Sequence, residues 1–349
     1  MSRRPPPARR WGAPLLALLL AVGLPAGADA QQPAPPPAQT TLRFITLAPE
    51  GSSWMKLLLQ WAGQVQQRTN GRVRLRFQTA TEADDERDLV RVMDLGRFQG
   101  ALMTGLGVGI IQPDVRVFEL PFLVKTDGEL DYLRRRLSAL FRHRLGERGY
   151  VLLAWADHGW IYGFGKTPLR TTEDFRRGRF FVWTDDPLGR ASLETFGCTI
   201  VPLGFRDVMP ALTTGRIEWV YGTPLDILVV GWSRRLRYMN DFAFGPGTGG
   251  LVLQKKAFDG LTPADQEVLV QTAQAFEGKL IKNVRADSAA AIVALKKQGL
   301  EVIKINASFK NELEPIAQQV WNRLAGSLFS RETLQQVKQA LADYRRGKR

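Results

Sequence analysis

Gly178-Arg-Phe-Phe-Val-Trp183 reads as a short buried strand on which Phe181 and Trp183 share one face. Asp174 and a basic turn precede it, and Thr184-Asp-Asp-Pro187 closes it with turn residues. The strand sits inside an alternation that restarts at Thr171, with strands near Arg179, Thr199 and Ile217 and helices between them. Strands alternating with helices imply a largely parallel sheet. A restart of that pattern implies a second lobe.

The first round of alternation begins at Leu42–Leu47, a strand followed by the loop Ala48-Pro-Glu-Gly51. Ser52 or Ser53 can cap the next helix, because a side-chain oxygen there satisfies an orphan backbone N–H. That helix carries Trp54, Leu57, Leu58, Trp61 and Val65 on one stripe and ends at Asn70-Gly71. Val73, Leu75 and Phe77 alternate with arginines, a half-exposed strand. A helix with Leu89, Val92 and Met93 stops near Gly96, and Gly100–Met103 follows as a buried strand. Val151–Ala156 is a further apolar strand. It leads through Asp157-His-Gly159 into Trp160–Phe164, where Trp160, Tyr162 and Phe164 share a face. After the second round the chain returns through a strand at Leu251-Val-Leu253. Thr262 then caps a long helix with Pro263 at its first position, and Gly299 can end it. Leu300–Ile305 is a last strand, and helices around 312–324 and 332–344 complete a fold expected from about Thr41 to Tyr344. The class is α/β with two lobes.

Residues 1–30 read as a cleavable signal peptide: a basic start, an apolar run from Trp11 to Leu24, and the small-x-small site Ala28-Asp-Ala30. Residues 31–40 form a Pro-rich tether. Cys198 is the single cysteine, so no internal disulfide can form, and its apolar neighbours predict a buried thiol. The net charge is +14, or +11 once the four Arg and one Asp of residues 1–30 are removed. Such a balance attracts nucleic acid or anionic lipid when the charge is clustered. Here the clusters at Arg134-Arg-Arg136, Arg234–Arg237 and Arg345–Arg349 are scattered and lack a nucleic-acid motif, so solvated surface is the better reading.

Catalytic equipment is sparse. Two His and one Cys argue against a His/Cys zinc site, and there is no P-loop or Gly-x-Ser-x-Gly elbow. Gly105-Leu-Gly-Val-Gly109 misses the dinucleotide spacing. It fits a loop that approaches a ligand and a plain tight connection equally well. Asp84-Asp-Glu86 reads better as a solvated helix start than as paired carboxylates. Asp157 and His158 are adjacent on an extended chain, so they face opposite ways and make a poor acid–base pair. Nine tryptophans remain to be placed. Trp61 and Trp155 read as core, whereas Trp54, Trp160, Trp183 and Tyr221 fall at strand or helix ends next to loops. Taken singly, each fits core packing as well. Jointly they favour an aromatic cleft at the carboxyl ends of strands.

A collinear set of motifs then accumulates: Thr46-Leu-Ala-Pro49, Thr69-Asn-Gly-Arg-Val73, Leu95-Gly96 with Gly100-Ala101, and Leu120-Pro-Phe122. It continues with Gly159-Trp160, Asp174-Phe175 with Gly178, Phe196-Gly197, Val208-x-x-Ala211-Leu-x-x-Gly215-x-Ile-Glu218, and Leu261-Thr-Pro-Ala-Asp-Gln266. From about Leu42 to Gly299 the chain resembles the substrate-binding subunit of tripartite ATP-independent periplasmic (TRAP) transporters, the DctP family. The resemblance implies a two-lobed periplasmic binding-protein fold with hinge strands and a long interlobe helix. In that frame lobe I covers 41–158 with 245–260 returning, lobe II covers 159–244, and 261–349 supplies the long helix, final strand and C-terminal helices. It implies no catalysis, cofactor or metal, a periplasmic location, and delivery of a small molecule to integral membrane permease subunits. Ligand contacts are expected at Trp54, Thr104, Asp157, Trp160, Phe181, Trp183, Tyr221 and Thr223.

The family pattern carries an Arg in the strand that opens this section, pairing with a ligand carboxylate. Aligned on Asp174 and Val182, Phe181 stands in its place. Losing a buried bidentate partner costs a carboxylate ligand on the order of 2–5 kcal/mol, or about 30- to 4,000-fold in affinity. An apolar or weakly polar ligand is therefore expected; the alternative is an organic acid held by another cation such as Arg179 or Arg190. The Phe-Val-Trp version resembles an outlying branch, for which a tetratricopeptide-repeat partner is implied.

Overall fold

The computed structural model describes residues 39–80, 85–305 and 307–347. The expected signal peptide over 1–30, the tether up to residue 38, and Asp84 lie outside them.

The first lobe opens with β1 (Thr40–Thr46), α1 (Ser53–Arg68), β2 (Val73–Thr79), α2 (Glu86–Asp94), β3 (Gly100–Thr104) and α3 (Gly105–Ile111). Ser52 caps α1 by accepting from the Met55 N–H, and Leu57, Leu58, Trp61 and Val65 form its buried stripe. β1 lies parallel to both β2 and β3, in register Thr40 with Val73 and Phe44 with Gly100. The run Gly105–Gly109 is a helix, not a loop. Its glycines leave room for three charged side chains: a Cβ at Gly105, Gly107 or Gly109 would strike Glu119, Glu86 or Arg116 respectively.

After a 3-10 segment at Pro113–Glu119 and α4 (Asp127–Glu147), the chain enters β4 (Tyr150–Gly165). This is one unbroken strand of 16 residues where the sequence suggested two. The expected lobe boundary at 158/159 falls inside it. A bulge between Asp157 and Gly159 re-aims the side chains there. Trp160 consequently sits within a strand, not at its end.

The second lobe contains α5 (Thr172–Arg177), β5 (Arg179–Trp183), α6 (Pro187–Thr195), β6 (Thr199–Leu203), α7 (Phe205–Thr214), β7 (Trp219–Gly222), α8 (Pro224–Val229) and β8 (Tyr238–Asn240). β5 pairs in parallel with β6 and β7. β9 (Gly245–Gln254) then returns antiparallel to β3 and β4. Only Leu251–Leu253 of this strand had a readable pattern. The rest is Gly-rich because β3 approaches closely: a Cβ on Gly249 would come within 2.4 Å of the Met103 carbonyl oxygen. The sheet order is β2-β1-β3-β9-β4-β7-β5-β6, so β4 and β9 carry the crossover between lobes.

After α9 (Lys255–Asp259), α10 (Pro263–Lys297) runs 35 residues from its Thr262 cap, ~52 Å at 1.5 Å per residue. Leu269 to Val284 pack on the first lobe and Leu295 on the second. β10 (Glu301–Ile303), α11 (Ala307–Leu324) and α12 (Arg331–Arg345) close the fold. Leu188 and Ala191 of α6 are buried in the first lobe's core cluster. The lobes are thus packed together in a closed arrangement. No helix among the described residues is long and apolar enough to cross a membrane.

Candidate functional site between the lobes

Asp157 and His158 leave β4 in opposite directions. Asp157 pairs with Arg134 of α4 and, at 2.9 Å, with Arg285 of α10. His158 turns toward α1 and α8. Its Nε2 lies 2.8 Å from Asp226 Oδ2, and its ring meets the Trp54 ring edge-on, with centroids 5.3 Å apart. Asp226 is fixed by the reciprocal cap of α8, accepting from Thr223 Oγ1 at 2.7 Å.

Facing this group from the first lobe is Glu86, the first residue of α2. It is 5% exposed, and its Oε1 accepts the Thr104 N–H at 3.0 Å. The expected solvated helix start is therefore corrected, since Asp85 caps the helix while Glu86 turns inward. Burial raises the Glu86 carboxyl to about 7, against the hydrogen bonds from Thr104 and the charge of His158. Burial also opposes charge on His158, but Asp226, Glu86 and Glu119 outweigh it and hold the imidazole above its ordinary value. The converse holds for Asp226, which His158 keeps below its ordinary value despite burial.

A second buried chain joins the lobes. Glu119 accepts Thr248 N–H and Oγ1–H, both at 2.8 Å, and Arg116 Nε–H at 2.7 Å. Arg116 Nη2 then donates to Asp186 Oδ1 at 3.0 Å, and the Tyr221 hydroxyl to Asp186 Oδ2 at 3.2 Å. Burial and Asp186 push the Tyr221 phenol well above its usual range. At the exposed rim, Arg87 of α2 meets Asp185 after β5 at 3.3 Å.

Of the residues singled out from sequence, Trp54, Thr104, Tyr221 and Thr223 come together around this crevice. Three do not. Phe181 is fully buried in the second lobe's core, against Trp183, Tyr221 and Trp232 at centroid distances of 4.9, 5.8 and 5.8 Å. Trp183, half-buried, stacks on Phe205. Asp157 is engaged in ion pairs, and Trp160 donates to Asp127 at 2.8 Å. Both line a separate cavity of about 170 Å³ with Leu130, Tyr162, Pro246 and Ser288. Arg179 sits at the far end of β5, four residues or ~13 Å from Trp183, on Glu218 and the Gly215 carbonyl. Arg190 faces Glu194 at the surface. Neither cation reaches the crevice; the guanidinium buried there is that of Arg116. Sequence reasoning also missed Glu119, Asp186 and Asp226. Only Asp226 left a signal, the Thr223-x-x-Asp226 capping pattern.

The profile of the bacterial extracellular solute-binding proteins of family 7, DctP, matches residues 44–327. The chain belongs to this family. Among DctP relatives, a solute-binding protein of Verminephrobacter eiseniae is 24% identical over 312 residues, spanning 87% of this chain and 90% of that protein. The 2,3-diketo-L-gulonate-binding periplasmic protein YiaO of Escherichia coli is 24% identical, spanning 68% and 73%. The fold matches a TRAP periplasmic solute-binding protein of Ralstonia eutropha with bound (S)-2-acetolactate, at TM-score 0.79 and 19% identity, over 87% of this chain and 99% of that one. It also matches a Haemophilus influenzae TRAP protein with bound L-gulonate, at TM-score 0.80 and 17% identity, over 87% and 99%. These DctP relatives are binding proteins of transporters, not enzymes, and those of known location are periplasmic.

Proposed function

We propose that this DctP protein captures a weakly polar small molecule in the crevice between its lobes and delivers it to TRAP permease subunits. Periplasmic residence fits the expected signal peptide. One observation carries the ligand class. The two basic side chains buried in the crevice, Arg116 and His158, are both already paired with carboxylates, so neither is free to clamp an acid. The half-buried Trp54, Trp183 and Tyr221 supply apolar wall beside few polar groups, the usual make-up of small-molecule sites.

A second reading is an organic acid held by Arg116. It is favoured by the acids bound in the structural relatives, and requires the guanidinium to exchange Asp186 for the ligand. Tryptophan fluorescence titration with neutral and anionic solutes of matched size separates the two. Tighter binding of neutral solutes supports the proposal. Tight binding of an acid that is lost in Arg116→Gln contradicts it.

A further inference from the structure

The cavity of about 170 Å³ behind β4 is walled by residues of α4, α8, α10, β4 and β9. It lies on the face of β4 that Asp157 and Trp160 occupy, away from His158 and the crevice. Leu130, Trp160, Pro246 and Ile292 make its walls mostly apolar. A cavity of about 150 Å³ already holds a benzene ring, so there is room here for a small organic molecule.

Two hydroxyls at this cavity are unmet. Ser288 Oγ is fully buried and has no hydrogen-bond partner. A helical serine can satisfy its hydroxyl on the carbonyl four residues back; Ser288 makes no such bond. The Tyr162 hydroxyl also has no partner among the described residues. The charges are unequal as well. Asp157 is met by Arg134 and Arg285, and Asp131 takes both terminal nitrogens of Arg285, at 2.9 and 2.7 Å. Asp127 accepts the Trp160 indole N–H at 2.8 Å on Oδ1, but its Oδ2 lies 3.6 Å from Arg285 Nε, beyond hydrogen-bond range. Three carboxylates thus face two guanidinium groups, and the excess falls on Asp127, which lines the cavity with its side chain 45% exposed. As the first residue of α4, Asp127 suits its helix. Its charge alone therefore assigns nothing; the cavity, the aromatic walls and the open hydroxyls beside it do.

An anion entering this space would meet Asp127 and Asp157 with Arg285 already taken. A hydrocarbon would leave both hydroxyls and Asp127 unmet. An ammonium presents donors only, and Asp127 Oδ2 and the oxygens of Tyr162 and Ser288 all accept. A cation on Asp127 also stands beside the indole that shares this carboxylate, and an aromatic neighbour adds to its attraction. We propose that this cavity is a second ligand site, taking a small organic ammonium of about benzylamine size. Its charge sits on Asp127 and its hydrocarbon part against Leu130, Pro246 and Ile292. The site does not depend on what the crevice binds.

The test is isothermal titration of the full chain near neutral pH with benzylamine and cyclohexylamine against benzyl alcohol, cyclohexanol and benzoate. The amines should bind ~10-fold or more tighter than the alcohols, the margin of a charge-assisted over a neutral hydrogen bond, with benzoate weaker still. Asp127→Asn keeps an acceptor for the Trp160 N–H and should remove that preference. Ser288→Leu fills the cavity and should abolish binding of amine and alcohol alike; if that variant fails to fold, Asp127→Asn decides. An alcohol that binds as tightly as its amine overturns the proposal, as does a preference unmoved by Asp127→Asn or the absence of binding by every probe. Amine binding that is lost in Trp54→Ala and kept in Asp127→Asn also overturns it, and places the amine in the crevice.

Discussion

Glu86 shows how one side chain can set the pH response of the closed molecule. Its folded value of about 7 lies above the ordinary 4.5, so the folded state keeps a proton that the unfolded state has lost. Stability contributed by the neutral carboxyl is complete below 4.5 and falls as pH rises toward 7. The penalty above that point is on the order of 3 kcal/mol. Glu86→Gln should therefore match wild type near about pH 4.5 and exceed it by on the order of 3 kcal/mol at about pH 8, read by urea denaturation at both pH values. A gap independent of pH would contradict the buried carboxyl. Little of this was legible in the sequence. An Asp-Asp-Glu run before a helix reads as solvated, and only the turn of α2 against β3 shows that its third member is inside. His158 was equally opaque: its neighbour Asp157 suggested a pair, whereas its partner Asp226 lies 68 positions further along the chain.

At the scale of an element, β5 was located correctly from its apolar run and flanking turns, and Phe181 and Trp183 do share a face. What the run could not give was depth. A parallel strand covered on both faces shows no alternation; Phe180 and Val182 enter one core cluster while Phe181 enters another. Phe181 is fully buried for that reason, while Trp183 and Tyr221 stay half-buried. Phe181→Ala should cost about 3–5 kcal/mol through the cavity it leaves. Trp183→Ala, half-exposed, should cost less stability but more binding. Equal stability losses in urea denaturation would put Phe181 outside the core. β9 was half-missed because Gly245–Gly250 looks like a turn, and only the close passage of β3 and β4 explains a strand of glycines.

At the scale of the whole molecule, two lobes were legible because strand–helix alternation restarts at Thr171. Closure was not, because it depends on Arg116 meeting Asp186, 70 positions apart. Removing Asp186 leaves Arg116 with Glu119 alone and the buried Tyr221 hydroxyl without its acceptor, a cost of about 1–3 kcal/mol. Asp186→Ala should lose that much stability and swell the molecule in small-angle scattering. Arg87→Ala, which breaks only the exposed rim pair, should cost less than about 1 kcal/mol. Similar effects from both variants would argue against Arg116–Asp186 as the interlobe tie.

The claim on which the rest depends is that a small solute occupies the space around His158, Trp54 and Glu86. A thermal-shift screen of a solute library with wild type and the Trp54→Phe/Glu86→Gln variant tests it directly. A solute at about 100 times its Kd stabilises by about 2.7 kcal/mol, a rise in Tm of roughly 5 °C. The account predicts such a rise in wild type and its near disappearance in the variant; a library that shifts neither protein, or shifts both equally, would contradict it.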